Sequence, residues 1–150
     1  MKKLIALLVS LAALTNLSAQ SDKDQILLAC NDYIDGFYNG DSTKLIRSLK
    51  PELFKFGYWK DKKTGKYAED GQMTFRQAVA YAKGVAAKKN FAKEGTVRKV
   101  EILDAMDQIA AAKVTAWWGV DYILLSKREG RWIIEQVLWE GPLETMAKPN

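Results

Sequence analysis

The chain holds no histidine and a single cysteine, Cys30. That removes the side chain best suited to moving protons near neutrality. It also removes Ser-His-Asp and Cys-His nucleophile systems and a zinc site of the usual nitrogen-and-sulfur kind. A phosphate-cradling glycine loop is missing as well. What remains is proton transfer by carboxylate and phenol, with Tyr33, Asp104, Asp121 and Tyr122 as candidates. A desolvated aspartate with a raised pKa would mark such a site. The plainer expectation is that Asp104 and Asp121 satisfy turn amides or pair with lysines. A larger set suits binding: Tyr33, Phe37, Phe54, Phe56, Tyr58, Trp117, Tyr122 and Trp132 could line a cavity for a small apolar or aromatic ligand, because pocket walls are mostly rings with a few polar groups. Taken singly, each of these residues reads more readily as a core or dimer contact. The expectation is therefore no catalytic residue, no metal and no cofactor, with Tyr33, Asp104 and Asp121 as the acting groups should the protein prove to be an enzyme.

These residues must be held by recognisable elements. Ser21 with Asp24 three positions on forms a helix start like a capping box, and Ile26, Cys30, Tyr33 and Phe37 follow at helical spacing until Asn39-Gly40 ends the run. Cys30 lies on that apolar stripe and reads as a small buried hydrophobe. Asp41 caps a short second helix carrying Leu45, Ile46 and Leu49, closed by Pro51. Leu53 to Trp59 is aromatic and strand-like, and the polar stretch to Gly71 leaves room for a short returning strand at Tyr67. Thr74 and Gln77 form a second capping box, opening a helix to about Lys89.

The last third reads as four strands in hairpin connection: Val97 to Met106, Ile109 to Trp118, Asp121 to Lys127 and Arg131 to Glu140. Period-two reading puts Val100, Ile102, Asp104 and Met106 on one face of the first, so Asp104 is expected inward. On the last, Trp132, Ile134, Gln136 and Leu138 oppose Ile133, Glu135, Val137 and Trp139. Neither face is cleanly polar, whereas a sheet with one wet face should alternate more sharply. A second copy of the chain is the expected cover, giving a homodimer through the outer sheet face. Helices grouped ahead of a strand meander make the fold class α+β, with a mostly antiparallel sheet.

Residues 1–20 read as a signal peptide. Met1-Lys2-Lys3 is a basic start, Leu4 to Leu14 carries no charge, and Leu17-Ser18-Ala19 has the spacing of a small-residue cleavage site, with cutting after Ala19 or Gln20. The apolar run is shorter than the roughly 20 residues of a spanning helix. Leu27-Leu28-Ala29-Cys30 has the look of a lipobox, but Asp22, Lys23 and Asp24 separate it from the apolar run. The expectation is a periplasmic or secreted protein: one domain over 21–143, a tail over 144–150, and no membrane association after signal removal. Without the leader the formal charge falls from +5 to +3. That charge is small and scattered, which argues against nucleic acid as a partner.

Three stretches carry a family resemblance. They are Tyr33-Ile34-Asp35-Gly36-Phe37-Tyr38-Asn39-Gly40-Asp41, then Leu49-Lys50-Pro51-Glu52-Leu53-Phe54-Lys55, then Asp121-Tyr122-Ile123-Leu124-Leu125-Ser126-Lys127 leading to Gly130-Arg131-Trp132-Ile133-Ile134. In this order they resemble the putative lumazine-binding proteins of the nuclear-transport-factor-2-like superfamily. The resemblance implies a cone: a curved sheet wrapped on three helices from the N-terminal half, a cavity at the wide end, and often a homodimer through the sheet. Similar cones host ketosteroid isomerases, whose site pairs a carboxylate base with Tyr and a protonated Asp. Here Leu53 to Trp59, where those enzymes carry their base, contains no acid. Many relatives carry histidine before the proline that follows the second helix, and this chain has Lys50 there. The resulting expectation is an exported, non-catalytic small-molecule-binding protein with an aromatic-lined cavity. The alternatives are a Tyr/Asp-based isomerase, dehydratase or cyclase in the same cavity, and a protein-interaction module using the aromatic sheet face.

Overall fold

The computed structural model describes residues 21–143. The expected signal peptide, 1–20, and tail, 144–150, lie outside them. Helix α1 spans Asp22–Asn39. Its N-cap is Ser21, whose side chain accepts from the Asp24 amide, and its C-cap is Gly40 at φ 68°. A side chain at Gly40 would meet the backbone of Ala82 and Ala86 within 3 Å, so the glycine both ends the helix and lets the third helix approach. Helix α2 is Ser42–Ser48, capped by Asp41, which accepts from the amides of Thr43 and Lys44. Helix α3 is Phe75–Lys88 and opens on the complete Thr74–Gln77 capping box. All three starts are local side-chain-to-backbone devices, which is why they were visible in the sequence.

Six strands form one sheet: β1 Leu49–Lys60, β2 Tyr67–Met73, β3 Lys99–Ala105, β4 Ile109–Ala116, β5 Gly119–Arg128 and β6 Arg131–Gly141. Their spatial order is β2-β1-β6-β5-β4-β3. Every pairing is antiparallel except β1 with β6, where the first and last strands of the chain meet in parallel as second and third in the sheet. Register shifts interrupt four of the five pairings, between Leu49 and Phe54, Lys55 and Gly57, Ile102 and Asp104, and Leu124 and Leu125. Irregularities of this kind bend and twist strands, and the sheet curves around the three helices as the family resemblance implies.

The core lies between the helices and the concave face. Ile26, Cys30, Tyr33 and Ile34 of α1 and Leu45 of α2 are fully buried against Ala112, Val114, Ile123 and Ile134. The small alanines of β4 let α1 sit close to the sheet. At about 25 cal/mol per Å² of apolar surface removed from water, this cluster supplies the main drive to fold. No helix among the described residues is long and apolar enough to cross a membrane.

Candidate functional site

Lys55, Gly57 and Trp59 share the concave side of β1, and one wide opening forms where this strand faces α3 and the β4–β5 turn. The cavity there has a volume of about 470 Å³. Its wall is aromatic: Tyr33 and Phe37 from α1, Tyr81 from α3, Trp117 and Trp118 from the turn, Trp59 from β1 and Trp139 from β6. Polar groups enter at few points, chiefly Lys55 on β1, Asp70 and Gln72 on β2, and Gln77 on α3. The rings fix one another edge-to-face. Phe37 stands 5.1 Å from Tyr33 and 5.5 Å from Trp118, and Tyr38 stands 5.6 Å from Trp118. Such pairs add about 0.5–1.5 kcal/mol each beyond their buried area. Tyr38 also pins the turn: its hydroxyl donates to the Val97 carbonyl and accepts from the Trp117 amide.

A buried charged pair forms the floor. The Lys55 ammonium donates to the Tyr33 hydroxyl at 2.9 Å and lies 3.8 Å from the Asp121 carboxylate. Trp118 Nε1 is 3.0 Å from both Asp121 oxygens and fixes the carboxylate from the other side. The Lys55 side chain is 7% exposed and that of Asp121 is fully buried. Burial pushes the Asp121 carboxyl up, against the pull of Lys55, Trp118 and Tyr33. Burial likewise pulls the Lys55 ammonium down, against the opposing pull of Asp121. The Tyr33 hydroxyl is driven well up by burial and by the adjacent carboxylate. Cys30 is buried behind this cluster, and burial followed by the Asp121 charge pushes its thiol to about 12. It is therefore not a nucleophile at neutral pH. Among the described residues no group of three His, Cys, Asp or Glu side chains is placed to hold a metal ion.

The structure gathers some of the expected residues and disperses others. Tyr33, Phe37 and Trp117 stand in the cavity wall. Asp121 is buried beside Tyr33 but is not a wall residue. Phe54, Phe56, Tyr58 and Tyr122 are on the convex face, where Phe54, Tyr58 and Tyr122 are exposed. They are corrected from pocket to outer surface. The pattern misled because the outward side of β1 is more apolar than its inward side, where a lysine and a glycine sit. Trp132 points inward but lies away from the cavity, with its indole donating to Asp22. Asp104 is exposed, not inward, and its carboxylate caps the Ala105 amide. Between Ile102 and Asp104 the register with β4 slips by one, so Asp104 pairs with Ala111 of the outer face. An equivalent slip in β6 leaves Trp132, Ile134 and Val137 inward, with Trp139 also turned to the cavity and Gln136 and Leu138 exposed. The expected face of this strand therefore holds only up to the bulge.

Lys55, Trp59, Tyr81, Trp118 and Trp139 escaped the sequence reading. One signal existed for Lys55: a glycine two positions on, inside a strand, marks a close backbone approach. A Cβ at Gly57 would meet the Trp139 carbonyl oxygen at 2.2 Å and its ring at 2.5 Å. Gly57 is thus what lets the Trp139 ring lie beside Lys55, whose ammonium is 5.4 Å from that ring's centre.

Three helices on a curved six-stranded sheet, with an aromatic cavity between sheet and helices, define a nuclear-transport-factor-2-like cone. The chain belongs to the putative lumazine-binding family, whose pattern matches residues 21–140. Solved structures share the fold. A nuclear-transport-factor-2-like protein of unknown function from Methylobacillus flagellatus KT is 21% identical, with a TM-score of 0.58 over 79% of this chain and 90% of its own. Another such protein, from Silicibacter pomeroyi DSS-3, is 16% identical, with a TM-score of 0.56 over 80% of this chain and 98% of its own. A Nostoc punctiforme PCC 73102 protein of unknown function with a cystatin-like fold is 11% identical, with a TM-score of 0.52 over 83% and 95%. No curated protein matches the sequence significantly.

Proposed function

We propose that this protein binds a small flat molecule in the cavity between α1, α3 and β1, and does so without chemistry that consumes the ligand. The observation that carries this is the opening of about 470 Å³ walled by rings, with the buried ammonium of Lys55 at its floor. Rings on opposite walls suit a planar ligand, and Lys55, Gln72 and Gln77 offer hydrogen bonds to its edge. The family's name points to lumazine-like heterocycles, which have this shape. Titration of tryptophan fluorescence with lumazine, a pterin and riboflavin tests the reading, because Trp59, Trp118 and Trp139 report on the cavity. Quenching with a matching rise in Tm is expected. No response to any of these ligands counts against it.

The binding is proposed to take place outside the cytoplasm, after removal of residues 1–20. Sequencing the N-terminus of the protein recovered from the envelope checks this, with Gln20 or Ser21 expected first. A second copy is proposed to cover the convex face, which carries the exposed side chains of Phe54, Tyr58, Tyr122, Leu124 and Leu138.

One observation favours a second reading, an isomerase, dehydratase or cyclase. Asp121 is a buried carboxyl with a raised pKa beside the Tyr33 hydroxyl. Its position behind the cavity wall weighs against direct contact with a ligand. Asp121→Asn should abolish turnover while sparing binding if that reading is right.

A further inference from the structure

We infer that the Lys55 amine captures carbonyl-bearing ligands covalently and reversibly, as an imine at the floor of the cavity. This rests on the binding reading above and adds to it a ligand class: flat aromatic or conjugated aldehydes and ketones. The basis is a juxtaposition. Lys55 is a wall residue of the cavity, yet its side chain is 7% exposed. The Tyr33 hydroxyl is 2.9 Å from its nitrogen and the Asp121 carboxylate 3.8 Å away. Trp118 holds both Asp121 oxygens, so the carboxylate stays at the amine and out of the ligand space.

Lysines that react with carbonyls are those that apolar surroundings keep neutral. Burial lowers Lys55 and raises Asp121, and both changes favour transfer of the shared proton to the carboxyl. The neutral amine, which lines the cavity, then has a lone pair available for a ligand carbonyl. Simple anion binding suits the site less well. The Lys55 charge is already matched by Asp121, and Asp70 adds a second acid to the cavity wall.

The step balances within the site. The Nζ lone pair forms a bond to the carbonyl carbon as the carbonyl π bond breaks. Asp121 gives its proton to the new oxygen, with the Tyr33 hydroxyl placed to relay it, and takes one from nitrogen, leaving a carbinolamine. Proton delivery from the same carboxyl through the Tyr33 hydroxyl to the carbinolamine oxygen releases water as the nitrogen lone pair forms the C=N bond, and the second nitrogen proton returns to Asp121. Amine and carbonyl become imine and one water with no oxidant or reductant, and hydrolysis reverses the process.

The test incubates the protein with naphthaldehyde, reduces with cyanoborohydride and maps the adduct by peptide mass spectrometry. Naphthylmethanol, of similar shape but without the carbonyl, serves as the binding control. The expected result is a dominant adduct on Lys55, heavier by the aldehyde less one oxygen, with only traces on the exposed Lys62, Lys63 and Lys66. Naphthylmethanol should quench the tryptophans and leave no adduct. Lys55→Arg should lose the adduct, and the wild-type peptide map locates the adduct even if this variant folds poorly. If naphthylmethanol binds but the aldehyde modifies only exposed lysines, the imine proposal fails and the binding reading stands. If neither molecule binds, both fail.

Discussion

Lys55 and Asp121 form a pair that stabilises the protein little and constrains it a great deal. Removing two charges from water costs several kcal/mol per ion in practice, and their attraction offsets this only when the remaining groups are satisfied. Here Tyr33 and Trp118 satisfy them. Deleting one partner should cost about 3–5 kcal/mol, while replacing both by apolar residues of similar volume should cost much less. Urea unfolding of Asp121→Ala, Lys55→Met and the Lys55→Met/Asp121→Leu double variant checks this, and additive losses would contradict it. Glu135 behaves differently. Burial alone would raise its carboxyl, but Arg128, Ser126 and Lys50 hold it at about 2 against an ordinary value of 4.5. A carboxyl depressed in the folded state contributes stability above its unfolded pKa and loses it as the pH falls through the folded value. Between pH 4.5 and about 2, stability should fall by on the order of 2 kcal/mol, allowing for screening at the exposed Arg128, and Glu135→Gln should flatten that part of the profile. Asp121 has the opposite sign: its raised carboxyl binds a proton more tightly when folded, so its contribution declines as the pH rises past the unfolded value of 3.8.

At the scale of elements, one close contact sets the shape of the cavity. Gly57 on β1 faces Trp139 on β6 across the parallel pairing, with no room for even a methyl group. Gly57→Ala should therefore force the strands or the ring apart, costing about 1–3 kcal/mol and weakening ligand quenching more than its effect on stability alone explains. Chemical denaturation and fluorescence titration of the same variant separate the two effects. The helices were legible because their caps are local: Ser21, Asp41 and the Thr74–Gln77 box each act within three residues. The faces of β3 and β6 were legible only up to their bulges. One slipped residue inverts every later side chain, which is how Asp104 came to be expected inside and Trp139 was overlooked.

For the whole molecule, the convex face is apolar across several strands. Cross-strand neighbours Phe56, Leu138 and Tyr122 form a row across β1, β6 and β5, with Leu124 adjoining on β5. Apolar surface of this extent on a sheet commonly marks an interface. A second copy should make the protein sediment as a dimer at micromolar concentration, and Leu138→Lys should convert it to a folded monomer whose Tm no longer rises with protein concentration. A wild-type protein that sediments as a monomer would overturn the pairing.

The sequence by itself determined the α+β class, the order of helices and hairpins, the family resemblance and the chemistry that a chain without histidine must forgo. These depend on composition, caps and periodicity, which act over a few residues. Only the tertiary structure decided that β1 and β6 meet in parallel and that Gly57 admits Trp139. It likewise decided that a lysine from one strand and an aspartate from another meet beneath a wall of rings. Residues 55 and 121 come together only through sheet pairing, and the choice of inward face turned on bulges whose cause is packing rather than local preference.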